Sequence, residues 1–406
     1  MRALALLLVL PMLALNVGHS VITLDGPWRF NTGDNPHWAD PDFDDRSWGI
    51  VDLTAPPGAH DPDEGLSGYV PGWNARGYRY GGYAWYRMRI LVRAAPSDRL
   101  AIAGPLLVDQ AYQLFVNGTL LGGSGTFNGS TPAVYATHPS IFPLHAGAAP
   151  IAIRVWMSPR LAGAADAGGI HIAPAIGEAD GIDLLYRVQW LERVRAFVVD
   201  IVEPAIFVLL AVMAACLIRF DPKNPAYPCL VVALLLTAIA RANLAFYSLA
   251  HYETAREFIV IVNGIVIPLW FGAWTATWIT WFRLQHHRWL LGVTASLTAL
   301  SIAGQQLGIP AISTNVRYLF AAMLVAIVAL AVLERGRETW FALPAVALVA
   351  CALFAAELSS LGVPGIWFPF DTGLSRTQIA YAALDAFLFF LLFARLDRLV
   401  TATRAP

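Results

Sequence analysis

The chain has 406 residues, of which 57% are hydrophobic and 14% charged, with a formal net charge of −1. Ordinary soluble domains carry about a quarter charged residues, so composition alone argues against a purely soluble protein. The near-neutral balance lacks the basic footprint that a nucleic-acid partner demands.

Residues 1–20 carry one basic residue, Arg2, then the apolar run ALALLLVLPMLALNV and the small residues Gly18 and Ser20. This is the pattern of a signal peptide, which implies that the next segment is exported; the alternative is an uncleaved anchor. Residues 21–195 hold 17 acidic and 13 basic residues. All three cysteines, Cys216, Cys229 and Cys351, fall later, in or beside apolar stretches, so the exported segment is expected to fold without disulfides.

That segment reads as all-β. In YAWYRMRILV, Ala84, Tyr86, Met88, Ile90 and Val92 fall on one face, with Trp85, Arg87, Arg89 and Arg93 on the other. AYQLFVNG repeats the alternation with Tyr112, Leu114 and Val116 inward, and Asn117-Gly118 supplies a tight hairpin turn. PIAIRVWM does so again with Ile151, Ile153, Val155 and Met157. Short strands separated by Gly and Pro turns indicate a sandwich.

Residues 181–196 come next as a connector helix, with Leu184, Leu185, Val188, Leu191 and Val194 as an apolar stripe and Tyr186 and Trp190 at interfacial depth. It either lies along the membrane surface or leads straight into the first span. Seven apolar stretches then occupy residues 197–218, 229–248, 258–282, 289–308, 316–333, 341–360 and 377–395. Each approaches the roughly 20 residues a helix needs to cross a bilayer. The connections after the first, third, fifth and seventh stretches hold Arg219, Lys223, Arg283, Arg288, Arg335, Arg337, Arg395, Arg398 and Arg404, against Arg256, Arg317 and Arg376 in the opposite set, apart from a juxtamembrane cluster at Arg187, Arg193 and Arg195. This places the first set, and the tail 396–406, on the cytoplasmic side. The segment before residue 197 belongs outside.

LDGPWRF at 24–30, WADPDFDDRSW at 38–48, GYAWYRMRI at 82–90, YQLFVNG at 112–118 and IAIRVW at 151–156 together resemble the amino-terminal sugar-binding jelly roll of family-two glycoside hydrolases. No catalytic barrel with paired glutamates comes after it. An exported jelly roll of this galactose-binding-like kind, at residues 21–180, ahead of an all-α seven-helix bundle at 197–395, is similar to the bacterial seven-transmembrane receptors with diverse intracellular signalling modules. The resemblance implies a bacterial inner-membrane sensor with its head outside and its carboxyl terminus in the cytoplasm. It also implies a carbohydrate-like or other small ligand and a cytoplasmic signalling effector. After Arg395 only LDRLVTATRAP remains, so the output is expected from a partner, or the sequence is that of a truncated relative. No enzymatic output is expected of the chain. The alternative is a transporter or membrane enzyme with a capture domain and a buried Arg/Glu/Asp site.

A pyranose offers apolar C–H patches beside vicinal hydroxyls, so its site needs flat rings next to polar forks. The connection from residue 54 to residue 82 supplies Tyr69, Trp73, Asn74, Arg76, Tyr78, Arg79 and Tyr80, the expected ligand site; the other reading has these rings capping the sandwich or meeting the membrane. Asp40, Asp42 and Asp44 alternate like a calcium loop, but Val51 stands where the closing glutamate belongs, and Asx-capped turns explain them better. GGSG at 122–125 is no nucleophile elbow, and His286-His287 beside Arg283 and Arg288 reads as interfacial. No metal or cofactor is expected.

Within the apolar stretches, Glu203, Arg241, Asn243, Glu357 and Asp385 fall in or near the outer half. Ionisable groups at that depth are costly and seek partners inside the bundle, so a polar cluster is expected, with Arg241 pairing with Glu357 or Asp385 and at least one carboxyl protonated or hydrated. The alternative is that they only fix helix packing. Pro204, Pro268 and Pro344 interrupt spans and carry no functional weight alone.

Overall fold

The structure, a computed structural model, describes residues 21–62, 64–95, 98–129, 131–159, 166–249, 262–307, 309–334, 337–368 and 373–404. The expected signal peptide at 1–20 and the opening residues of the third expected span lie outside the described residues. The chain divides into two units. One holds residues 1–59, 68–125 and 137–191; the other holds 60–67, 126–136 and 192–406.

The first unit is built from strands β1 (Val21–Thr23), β2 (Pro27–Thr32), β3 (Gly49–Asp52), β4 (Gly82–Val92), β5 (Leu100–Ala103), β6 (Leu107–Asp109), β7 (Ala111–Val116), β8 (Thr119–Ser124), β9 (Ile141–Leu144), β10 (Gly147–Met157), β11 (Gly169–Ile172) and β12 (Ala175–Glu178). They form a six-stranded sheet ordered β3-β2-β4-β10-β7-β8, a four-stranded sheet ordered β1-β12-β5-β9, and the pair β11-β6. All these pairings are antiparallel. Register aligns the apolar positions in rows: Ile153 lies opposite Tyr86 on one side and Leu114 on the other, and Val155 opposite Ala84 and Tyr112. These residues join Trp28, Phe30, Ile102, Leu144 and Ile176 in one buried cluster, so the inward face expected from alternation is the face that packs. The β7–β8 turn has left-handed backbone at both Asn117 (φ 50°) and Gly118 (φ 79°), which matches the twist of the strands it joins.

The outer face of β4 departs from the expectation of a solvent-facing side. Residues 38–48 fold over it, and Trp48, Trp85, Ala39 and Ala152 make a second buried cluster with Trp38, Phe43 and Phe115 against it. Arg87, 1% exposed, donates from Nε to Asp45 Oδ2 at 2.9 Å and from Nη2 to the Asp40 carbonyl at 3.1 Å, and also donates to the Trp38 carbonyl. The acidic stretch is thus a lid on the sheet, with its aspartates used in turns: Asp44 takes the Arg46 side chain and Asp40 the His37 ring.

The helical part comprises α1 (Ala179–Phe220), α2 (Ala226–Leu249), a π turn (Val262–Val266) leading into α3 (Ile267–Trp281), α4 (His287–Gln306), α5 (Pro310–Leu333), α6 (Arg337–Leu353), α7 (Ala355–Ser360) and α8 (Arg376–Arg404). The expected connector and first span are one continuous helix of 42 residues. Among the described residues four helices are long and apolar enough to cross a membrane: Ala179–Phe220, Ala226–Leu249, Ala311–Leu333 and Arg376–Thr401. Among the described residues, the helices at the other three expected spans are less apolar or shorter. α4 carries Thr294, Ser296, Thr298, Ser301, Gln305 and Gln306, α3 has 15 residues after its π turn, and α6 ends at Leu353 where the sixth expected span runs to residue 360. On α3, Trp270 and Trp274 both donate from Nε1 to Thr237 Oγ1 of α2, at 2.9 and 3.0 Å, tying two apolar helices by a polar atom.

Candidate functional site

The connection between β3 and β4 is folded inward rather than presented as an open aromatic rim. Trp73 is fully buried; its Nε1 donates to the Tyr80 carbonyl at 2.9 Å and its ring lies 6.0 Å from that of Phe30. Tyr78 packs edge-on to Phe30 at 4.8 Å, and buried Asn74 accepts the Tyr80 amide at 3.3 Å. Trp73 and Asn74 therefore spend their ring and polar atoms on the core and the loop itself, and half-buried Tyr78 packs its ring on Phe30. The reason lies in Gly168, whose left-handed backbone (φ 95°) brings the chain so close that a Cβ there would meet the Trp73 ring at 2.1 Å. Arg76 is turned back on its own loop, donating to the Pro71 carbonyl at 2.8 Å, while Arg79 is exposed and Tyr80 half-buried.

Tyr69 belongs to a different grouping. Its hydroxyl donates to Asp166 Oδ2 at 2.5 Å, the Gly72 amide donates to Asp166 Oδ1 at 2.6 Å, and its ring lies parallel to that of His171 at 5.0 Å. His171 is buried, with Nδ1 at 3.0 Å from the Val70 carbonyl and Nε2 at 3.3 Å from Asp109 Oδ2. Both ring nitrogens face acceptors, the arrangement of an imidazolium. Burial alone would lower the histidine, but the Asp109 hydrogen bond and charge outweigh it and hold His171 above its ordinary value. The same partner, with the Gly168 amide at 3.0 Å, holds Asp109 below its ordinary value against the opposing effect of burial. Sequence patterning does not single out His171 and Asp109; the one available signal is a histidine between Ile170 and Ile172 in a strand with both faces covered.

In the helical part the expected polar cluster forms with different pairs. Arg241 of α2 is 6% exposed and is ion-paired to Glu203 of α1, Nε to Oε2 at 2.8 Å, and to Asp200 one turn earlier. Gln378 of α8 donates to Asp200 Oδ2 at 2.6 Å and to the Ala196 carbonyl at 2.8 Å, and the Arg241 guanidinium stands 5.3 Å from the Tyr381 ring centre. The expected pairing of Arg241 with Glu357 or Asp385 is corrected. Glu357 takes Arg317 in a bidentate pair at 2.5 and 2.7 Å, and Asp385 makes no ion pair among the described residues. Depth along a helix is legible from the ends of each stretch; which way a side chain turns about the axis is not. For the same reason Asn243, two residues beyond Arg241 and so about 200° around the helix, does not share its face. Asp200 is inconspicuous in the sequence because it falls at the end of the first stretch, where a charge is ordinary.

Among the described residues no group of three or more His, Cys, Asp or Glu side chains is placed to hold a metal ion. No family model matches the chain, and no curated protein matches it. Among solved structures, the sheet-rich part has family-two glycosidase neighbours. These include a β-glucuronidase from Bacteroides uniformis (18% identity over 38% of this chain and 17% of that chain, TM-score 0.27). A family-two member from Bacteroides cellulosilyticus gives 19% identity, 39% and 20% coverage, and a TM-score of 0.26. A β-glycosidase from Bacteroides vulgatus gives 20% identity, 38% and 20% coverage, and a TM-score of 0.27. The chain spans about a fifth of the length of these proteins.

Proposed function

We propose that the chain is a membrane sensory receptor. On this reading a jelly-roll head, residues 21–180, takes a carbohydrate-like or other small ligand outside the cell. Residues 181–196 connect it to seven crossings within 197–395, and the tail 396–406 faces a separate cytoplasmic effector. The observation that supports this most is the join at Glu178: β12 ends there and a single 42-residue helix begins at the next residue, so strand displacement enters the helix with no slack linker. The buried ion pairs of Arg241 with Asp200 and Glu203, and the half-buried pair of Arg317 with Glu357, give the helices discrete polar contacts to exchange. The bacterial inner membrane, with the head outside, is the reading favoured by the placement of basic residues.

Of the expected ligand residues, Tyr69, Arg76, Tyr78, Arg79 and Tyr80 retain some exposure and carry the sugar-binding reading. The test is thermal unfolding of the full chain in lipid nanodiscs against a panel of neutral and acidic mono- and disaccharides. A ligand at a hundred times its Kd stabilises by about 2.7 kcal/mol. At least one saccharide is expected to raise the midpoint, with the rise lost in Arg79→Ala while the ligand-free midpoint holds. A panel without any shift removes the sugar-sensing reading.

A further inference from the structure

We propose that Asp385 is a proton-binding site inside the helical part, and that it holds its proton while Arg241 stays paired with Asp200 and Glu203. Asp385 is 6% exposed, and neither of its oxygens receives a hydrogen bond among the described residues. A buried carboxylate with no donor is far costlier than the neutral acid, so this side chain is at home only with its proton. The groups around it make the same demand. Glu203 of α1 and Tyr381, one turn away on the same face of α8, lie within electrostatic reach of it; Glu203 is itself held by Arg241 of α2, which also pairs with Asp200, and Gln378 donates to Asp200. α3 contributes Trp270 against Tyr381 at 6.3 Å, and α6, which packs along α8, has no Asp, Glu, Lys, Arg or His between Thr339 and Leu353.

The Arg241 guanidinium already serves Asp200 and Glu203, and among the described residues no cation is paired with Asp385. With Asp385 ionised as well, the apolar interior would hold two surplus negative charges. A proton on Asp385 removes one of those surplus charges and leaves the Arg241 pairs with Asp200 and Glu203 in place. This holds whether or not the head binds a sugar.

Infrared spectroscopy of the full chain in nanodiscs tests it. At neutral pH a carboxylic-acid C=O band is expected, lost in Asp385→Asn, kept in Glu203→Gln and displaced in frequency, not lost, in Asp385→Glu. Because Asn is a neutral near-isostere, Asp385→Asn is expected to unfold at the wild-type midpoint. If Asp385→Asn does not fold, the displaced band in Asp385→Glu decides instead. Absence of the band at neutral pH, its survival in Asp385→Asn, or an unmoved band in Asp385→Glu overturns the proposal.

Discussion

Arg87 is a guanidinium with almost no access to water, held by one carboxylate and two carbonyls. Removing one partner of such a pair strands the other's charge, which typically costs about 3–5 kcal/mol. Arg87→Ala is therefore expected to lower the stability of the sheet-rich unit by that order in denaturant titration, whereas Arg46→Ala, whose pair with Asp44 is exposed, is expected to leave it nearly unchanged. Trp73→Ala is expected to cost about 3–5 kcal/mol by emptying a fully buried site. It is thus a core mutation, unsuited to testing ligand binding. His171 and Asp109 give a pH signature. The raised histidine contributes stability that is complete below its ordinary value of 6.5 and is lost as pH rises through the folded value. The lowered Asp109 contributes stability present above 3.8 and lost as pH falls through its folded value. The melting midpoint is expected to decline on the alkaline side of 6.5, and His171→Gln is expected to abolish that decline; an unchanged profile in the variant would assign the dependence elsewhere.

At the scale of elements, periodicity finds the inward faces of β4, β7 and β10 because a strand has only two sides and the core selects one. It does not find that the other side of β4 is covered, because nothing local in 38–48 says where that segment will lie. Gly168 is the element-level counterpart: its positive φ and its approach to Trp73 leave no room for a side chain. Gly168→Ala is expected to destabilise by at least about 1–2 kcal/mol, the steric cost of a left-handed non-glycine residue, read in the same denaturant titration. In α1, Pro204 has no N–H to offer the carbonyl four residues earlier, that of Asp200. The continuous helix thus lacks one backbone hydrogen bond at the residue that Arg241 and Gln378 both contact. Pro204→Ala restores the donor, and its expected effect is a higher midpoint with weaker transmission of any head-dependent signal.

For the whole molecule, the distribution of basic residues and the apolar stretches predict an odd number of crossings after an exported head. Tags placed after residue 20 and at residue 406 are expected on opposite sides of the membrane in a protease-protection assay, and finding both in one compartment would refute the topology. The division into a β-rich part and then an all-helical, apolar one was legible from the sequence, because strand alternation and long hydrophobic runs are properties of consecutive residues. The hairpin at Asn117-Gly118 was legible for the same reason. Which residues meet across elements was decided only in three dimensions. Trp73 became core, His171 found Asp109, and Arg241 took Asp200 and Glu203 in place of Glu357 or Asp385. Those outcomes depend on how each element is rotated and packed, and that is set by the sum of distant contacts.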